Sequence, residues 1–160
     1  MEVEPRLAIA GFLLAHPNWD GVAVVVGDPT HWAQISADEV VSFQSFLTLR
    51  IAAALGARGA VDGGGRVDGA AMAETLSRPE RLAAHLASAE IGGAPGAALG
   101  HLIGAELGAA RPYWLGQQVV VLGTGAMAAA YAAALEAQGV PVHCAEFDNC
   151  VATARARLAQ

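Results

Sequence analysis

Lysine is absent from this 160-residue chain: its nine basic residues are all arginine, set against fifteen carboxylates for a net charge of −6. That absence removes Schiff-base chemistry and any ammonium point charge on a phosphate. The acidic balance also argues against a basic patch for nucleic acid. Cysteine is scarce, with Cys144 and Cys150 alone, and the first residues, Met1-Glu2-Val3-Glu4, do not resemble a signal or transit peptide. Two thiols in such a chain point to the reducing cytoplasm. No apolar run approaches the ~20 residues needed to cross a bilayer, so no membrane span is predicted. A nucleophile elbow, paired catalytic carboxylates and a Walker loop are also missing, and no residue is assigned a catalytic role. Charged residues are few at 15% while hydrophobic residues reach 54%, with a mean hydropathy of +0.41. With so little polar surface to share out, an apolar face covered by a partner is expected, most simply another copy in a homo-oligomer.

What is present is concentrated between Val119 and Asp148. The apolar run Val119-Val120-Val121-Leu122 is followed by Gly123-Thr124-Gly125, an alanine-rich stretch to Gln138, Gly139, and a second apolar run from Val140 to Glu146. This order predicts strand, glycine turn, helix and parallel strand. Glycines at 123 and 125 would let a nucleotide lie against bare backbone at a helix N-terminus.

Upstream, Pro5 opens a predicted helix to about Ala15, with Leu7, Phe12 and Leu14 as its apolar contacts. The turn His16-Pro17-Asn18-Trp19-Asp20-Gly21 leads into a strand over residues 22–26, apolar at nearly every position as a central strand requires. Gly27-Asp28-Pro29 turns the chain into an antiparallel strand over 30–35. A third strand within 38–45 and a helix over 46–55 closed by Gly56 follow. Residues 58–69, with Gly63-Gly64-Gly65, read as a mobile loop. Asp68 or Gly69 caps a helix through Met72 to Leu76, and further helices are expected over 80–89 and 97–110. Gly92 to Gly96 separate the last two. A closing helix over 149–158 is capped by Asp148-Asn149. The chain thus reads as one α/β domain, 1–160, with a mixed sheet of about five strands flanked by helices.

The pattern Gly123-x-Gly125-x-x-Ala128 fits a dinucleotide fingerprint, and Glu146 ends the next strand near the offset of a ribose-binding acid. Tight strand-to-helix packing would require the same glycines. His143, Cys144, Glu146, Asp148 and Cys150 cluster in sequence, with alternation placing Cys144, Glu146 and Asp148 on one face. Their spacing matches no familiar metal set, and none is assigned. Asp28, Thr30 and His31 lie near a glycine turn beside Trp32, where Thr30 and His31 could hold a phosphate or move a proton. His101 and Glu106 read as partly buried helix residues, and His16 and His85 carry no signal.

The stretch Leu102-Ile103-Gly104-Ala105-Glu106-Leu107 and the later Gly123-Thr124 turn, with Tyr131 in its helix, form a fairly specific pair. Together with Gly27 and Trp32 in the early hairpin and Asp148 before the closing helix, they resemble the 2-keto-3-deoxygalactonokinases (2-dehydro-3-deoxygalactonokinases). The similarity covers most of the chain and matches the C-terminal lobe of those sugar-acid kinases. It implies the ribonuclease-H-like α/β fold of the actin/heat-shock-protein/sugar-kinase superfamily. It also implies ATP with Mg²⁺ as cofactor, weakly held, and a nucleotide or sugar-acid ligand. Carried over by position, Gly123, Thr124 and Gly125 belong to the nucleotide-side turn, and Gly27, Thr30 and His31 to the phosphate hairpin.

This sequence departs from the family pattern at that hairpin. Asp28 places a negative charge where a phosphate would sit, Pro29 removes a backbone donor, and the family's lysine position is His31. Thr48-Leu49-Arg50 stands where the family has Thr-Gly-Glu. The family's first lobe has no counterpart in these residues, and phosphoryl transfer needs donors and Mg²⁺ converging from both sides of a cleft. The resemblance therefore predicts a shortened relative without autonomous kinase activity, acting as a binding or assembly module. The alternatives are an active kinase completed by a separate first-lobe chain or a dimer mate, and a dinucleotide-binding module.

Overall fold

The computed structural model describes residues 1–160. Backbone packing divides them into two compact units, Met1–Ser45 with Tyr113–Gln160, and Phe46–Pro112, where the sequence suggests one domain.

The first unit is an α/β sandwich. Its helix α1 (Val3–Ala15) leads into strands β1 (Gly21–Val25), β2 (Thr30–Ser36) and β3 (Glu39–Phe46). After the intervening unit come β4 (Val119–Leu122) and β5 (Val142–Ala145), which with the first three form one five-stranded sheet in the order β3-β2-β1-β4-β5. β1 pairs antiparallel with β2 and parallel with β4, and β4 pairs parallel with β5, so the sheet is mixed as expected. Every residue of β1 is buried, the signature of a central strand covered on both faces. The β2–β3 turn holds Ala37 and Asp38 at φ 52° and 60°, the left-handed pair of a two-residue hairpin.

One face of the sheet buries Ala23, Val25, Ala33, Ile35, Val120 and Leu122 against Ala8, Ile9 and Phe12 of α1 and Val151 of α9 (Phe147–Leu158). Leu14, predicted as a core contact of α1, is 49% exposed. The two helices approach closely: a Cβ on Gly11 would stand 1.8 Å from the Cys150 carbonyl oxygen. On the opposite face Val22, Val24, Trp32, Val119 and Val121 are buried. α8 (Gly125–Glu136) packs on β4 and β5 and buries Tyr131 and Leu135.

The second unit is helical: α2 (Thr48–Ala54), α3 (Ala57–Asp62), α4 (Gly69–Ser77), α5 (Leu82–Ile91) and α6 (Pro95–Ala109), with a 3₁₀ turn at Pro79–Arg81. Residues 58–69 are therefore not all loop, because Ala57 and Val61, one turn apart and buried, anchor α3 before the glycines end it. Asp68 caps α4, its carboxylate accepting from the amides of Ala70 and Ala71 at 2.9 and 3.1 Å. The helix expected over 80–89 starts at Leu82, and α6 begins early because Pro95 takes its first turn. A short helix that the sequence reading did not expect, α7 (Arg111–Trp114), contains the boundary between the units.

α6 lies against α4 through bare glycine backbone. A Cβ on Gly96, Gly100 or Gly104 would come within 2.2, 2.3 and 2.2 Å of the carbonyl oxygens of Arg66, Asp68 and Met72. These glycines recur every four residues, so they share one stripe of the helix.

Candidate functional site

In the first unit the parallel register sets Val25 of β1 beside Leu122 of β4, and Leu122 beside Ala145 of β5. The three strands therefore end at one edge. The ladder continues past them: the Val26 amide donates to the Leu122 carbonyl at 2.9 Å, and the Gly123 amide to the Ala145 carbonyl at 3.2 Å. Gly27 and Gly123 follow directly on neighbouring strands. From β1 the chain passes to β2 on one side, and from β4 to β5 on the other. That reversal falls at the carboxyl ends of these strands, the end at which open α/β sheets bind ligands.

The two glycines of the second turn have different work. A Cβ on Gly123 would stand 3.1 Å from the Cβ atoms of both Val26 and Ala128, so this position and Ala128 keep β1, β4 and α8 close. Gly125 has φ +67° and open space around it, a conformation that disfavours any side chain. Thr124 is the N-cap of α8 and makes no side-chain capping bond. The first amides of α8 thus receive no cap from Thr124 at an exposed helix N-terminus, a place suited to an anion.

In the turn after β1, Gly27 is half-buried and Asp28 is exposed. Thr30 and His31 are not loop groups; they are the first residues of β2. Thr30 is fully buried and its hydroxyl donates to the Gly27 carbonyl at 3.1 Å. His31 is 2% exposed, with Nδ1 2.7 Å from the Ser45 hydroxyl of β3 and its ring edge-on to Phe43. Burial first, and the N-terminal ammonium second, hold His31 below the ordinary imidazole range, with Glu2 pulling the other way. In this conformation both side chains brace the hairpin from behind, and the groups presented to solvent are Gly27 backbone and the Asp28 side chain. The fit to ATP is consequently one-sided: the exposed start of α8 suits phosphate, whereas the exposed Asp28 after β1 adds a negative charge at the same end of the sheet.

The chemistry-bearing residues after β5 do not converge. The strand ends at Ala145, and Glu146 rather than Asp148 is the N-cap of α9, so alternation stops before it can align Glu146 and Asp148 with Cys144. Cys144 is exposed while Cys150 is buried, and burial raises the Cys150 thiol pKa. The one grouping of three metal-competent side chains lies elsewhere, at Glu74, His85 and His101 in the helical unit. It escaped sequence reading because separations of eleven and sixteen residues follow no ligand motif and only the packing of three helices joins them.

Residues 6–158 match the family model for 2-keto-3-deoxy-galactonokinase. The chain belongs to that family. A solved structure described as a candidate 2-dehydro-3-deoxygalactonokinase protein from Sinorhizobium meliloti aligns with a TM-score of 0.82 at 21% identity. That alignment takes in 97% of this chain and 58% of the solved one, so the 160 residues span less than two thirds of that neighbour. At this identity the likeness establishes the fold: the mixed five-stranded α/β architecture that the kinase resemblance implies. No curated protein matches the chain. Within the family frame Leu102, Ile103, Gly104 and Glu106 are all buried in α6, and Tyr131 is fully buried under the sheet. These motif residues lie in the interior, whereas the glycine turns at the strand ends are partly or fully exposed.

Proposed function

We propose that these 160 residues form the nucleotide-side half of a 2-keto-3-deoxy sugar-acid kinase site, binding ATP weakly and transferring no phosphoryl group on their own. The observation that supports this most directly is the placement of Gly27 and Gly123-Thr124-Gly125 at one sheet edge, beside the exposed start of α8. In a protein of this family that edge is where ATP would lie, its phosphates toward the α8 amides. Mg²⁺ brought in with the nucleotide would offset phosphate charge and need few protein ligands, because it keeps several waters. Thr30 and His31 hold the hairpin in shape rather than touching the nucleotide. Asp28 would weaken binding by like-charge repulsion, about 1 kcal/mol at an exposed 4 Å approach in water and more when shielded from solvent.

Phosphoryl transfer demands donors on both sides of the transferring group. The turns here supply one side, so turnover requires a further lobe, from another chain or a dimer mate. A surface suited to such a partner exists in the first unit. Val40, Val41 and Phe43 of the outer strand β3, with Val3 and Leu14 of α1 and Leu158 of α9, border an open apolar groove of about 1280 Å³. All six are at least 41% exposed, a cluster of apolar side chains of the kind that interaction sites use.

The test is calorimetric titration of MgATP into the purified chain, with a coupled assay of ADP release from 2-keto-3-deoxygalactonate. The expected result is weak ATP binding, tightened several-fold by Asp28→Asn, with no sugar-acid-dependent ADP release. Steady turnover by this chain alone would refute the reading. NAD(H) is the comparison ligand, since a dinucleotide would use the same turn with Glu146 at its ribose. Tighter binding of NAD(H) than of ATP, abolished by Glu146→Gln, would replace the kinase reading with the dinucleotide one.

A further inference from the structure

In the helical unit, Glu74 and Thr75 of α4, His85 of α5 and His101 of α6 meet at one point. Thr75 is fully buried and both imidazoles are 7% exposed. The Thr75 hydroxyl stands 2.8 Å from Nδ1 of His85 and 2.8 Å from Nδ1 of His101. The two rings lie 4.6 Å apart between centroids. Nε2 of His85 is buried with no hydrogen-bond partner, 3.4 Å from a Glu74 carboxylate oxygen. One ligand atom from each of Glu74, His85 and His101 falls within 4.8 Å of the others.

We propose that Glu74, His85 and His101 bind one divalent transition-metal ion, with Zn²⁺ the ion best suited to the set. The hydroxyl oxygen of Thr75 has two lone pairs and can accept from both Nδ1–H groups at once. With an ion bound, its own proton would need an acceptor such as a carbonyl of its helix, a bond threonine commonly makes. In the metal-bound state that tautomer pair would leave a lone pair on each Nε2, the form in which imidazole ligates metal, with the other ring nitrogen held by an oriented partner. The His101 ring would exchange its hydrogen bond to the Ala71 backbone for the ion where the two compete. His85 Nε2 already faces the carboxylate with nothing between them. An ion placed there would satisfy a buried nitrogen that the protein leaves unpaired.

The donor set decides the chemistry. Two imidazoles and one carboxylate suit zinc and its neighbours, whereas Ca²⁺ and Mg²⁺ prefer six or more oxygens. Ligands around a tetrahedral zinc lie roughly 3.3 Å apart, given bonds near 2.0 Å. The side chains must therefore close in by about an ångström, a movement available to Glu74 because its side chain is 55% exposed. The same exposure leaves the fourth position to water. The ligands come from three different helices, so the ion would fasten α4, α5 and α6 together.

The experiment uses the full chain, stripped with chelator, in a Cys144→Ser background that removes the exposed competing thiol. Calorimetry should show one Zn²⁺ per chain, and Co²⁺ should give the intense visible bands of a tetrahedral site. Saturating Zn²⁺ should raise Tm by roughly 5–10 °C at a hundredfold excess over Kd. Glu74→Gln, at an exposed side chain that does not endanger folding, should weaken binding at least tenfold. His85→Gln should abolish it, and Thr75→Val should weaken it by about 10- to 100-fold through loss of ring orientation. The proposal is overturned if the stripped chain takes up no Zn²⁺ at submillimolar concentration, or if Glu74→Gln binds as tightly as its parent. It is equally overturned if ¹⁵N spectra show His85 protonated against Glu74 in the presence of Zn²⁺.

Discussion

Replacing Gly104 by alanine should destabilise the helical unit, although alanine is the better helix former. An alanine Cβ at 104 would sit 2.2 Å from the Met72 carbonyl oxygen and 3.1 Å from the Leu76 amide nitrogen. Carbon–oxygen contacts in packed helices are about 3.3–3.6 Å, so α6 must retreat from α4 by roughly 1 Å. The obstructing atoms are backbone, which cannot rotate away. Overpacking of this kind costs about 1–3 kcal/mol, and the gap it opens along the stripe forfeits part of the dispersion contact of its neighbours. Helix propensity returns up to ~1 kcal/mol. The net expectation is a loss of about 1–2 kcal/mol, or a fall in Tm of roughly 2–8 °C. Gly108, one turn further along the same stripe, supplies the control. A Cβ there meets only Leu76 and Pro79 atoms at 3.7–3.9 Å, ordinary contact distances. Gly108→Ala should therefore gain some tenths of a kcal/mol up to ~1, from propensity alone. Urea unfolding followed by far-ultraviolet circular dichroism reads both. A Gly104→Ala variant as stable as the parent, or a Gly108→Ala variant equally damaged, would refute the packing argument.

Two further outcomes follow from burial. His31 has a lowered pKa in the fold, so the unfolded chain binds more protons between that value and the unperturbed ~6.5. Its contribution to stability is fully present above pH 6.5 and is lost as pH falls from there through the folded pKa. His31→Gln should flatten that part of the curve, and an unchanged slope in pH-dependent urea melts would count against it. A thiol reagent should label one cysteine per native chain, Cys144, and reach Cys150 only on unfolding; rapid labelling of both would show that the contact between α1 and α9 opens.

Much of the first unit is legible in the sequence because local patterns and tertiary packing agree there. The all-apolar strand after Gly21 is central, and Val119 to Glu146 is a strand, glycine turn, helix and strand in the order read. The site was only half legible. Gly123 and Gly125 declare themselves by strand context, and the structure adds their separate roles. Thr30 and His31 lie so close to a glycine turn that sequence places them at the ligand; β2 begins at Thr30, and because this part of the strand is covered on both faces the two side chains are buried. The helical unit was less readable, since Ala57 to Asp62 is too short and glycine-flanked to show a period. The four-residue glycine repeat at 96, 100, 104 and 108 was a signal available in the sequence. It marks close helix approach, and its neighbours Thr75 and His101 lie where α4 and α6 meet.

The central claim is that the Gly27 and Gly123-Thr124-Gly125 turns carry the nucleotide. Amide NMR of the ¹⁵N-labelled chain during an MgATP titration tests it most directly. Progressive shifts should centre on Gly27, Asp28, Thr124, Gly125 and Ala126, enlarge at matched ATP concentration in Asp28→Asn, and leave the helical unit still. Shifts that bypass both turns, or none at millimolar MgATP in either chain, would contradict it.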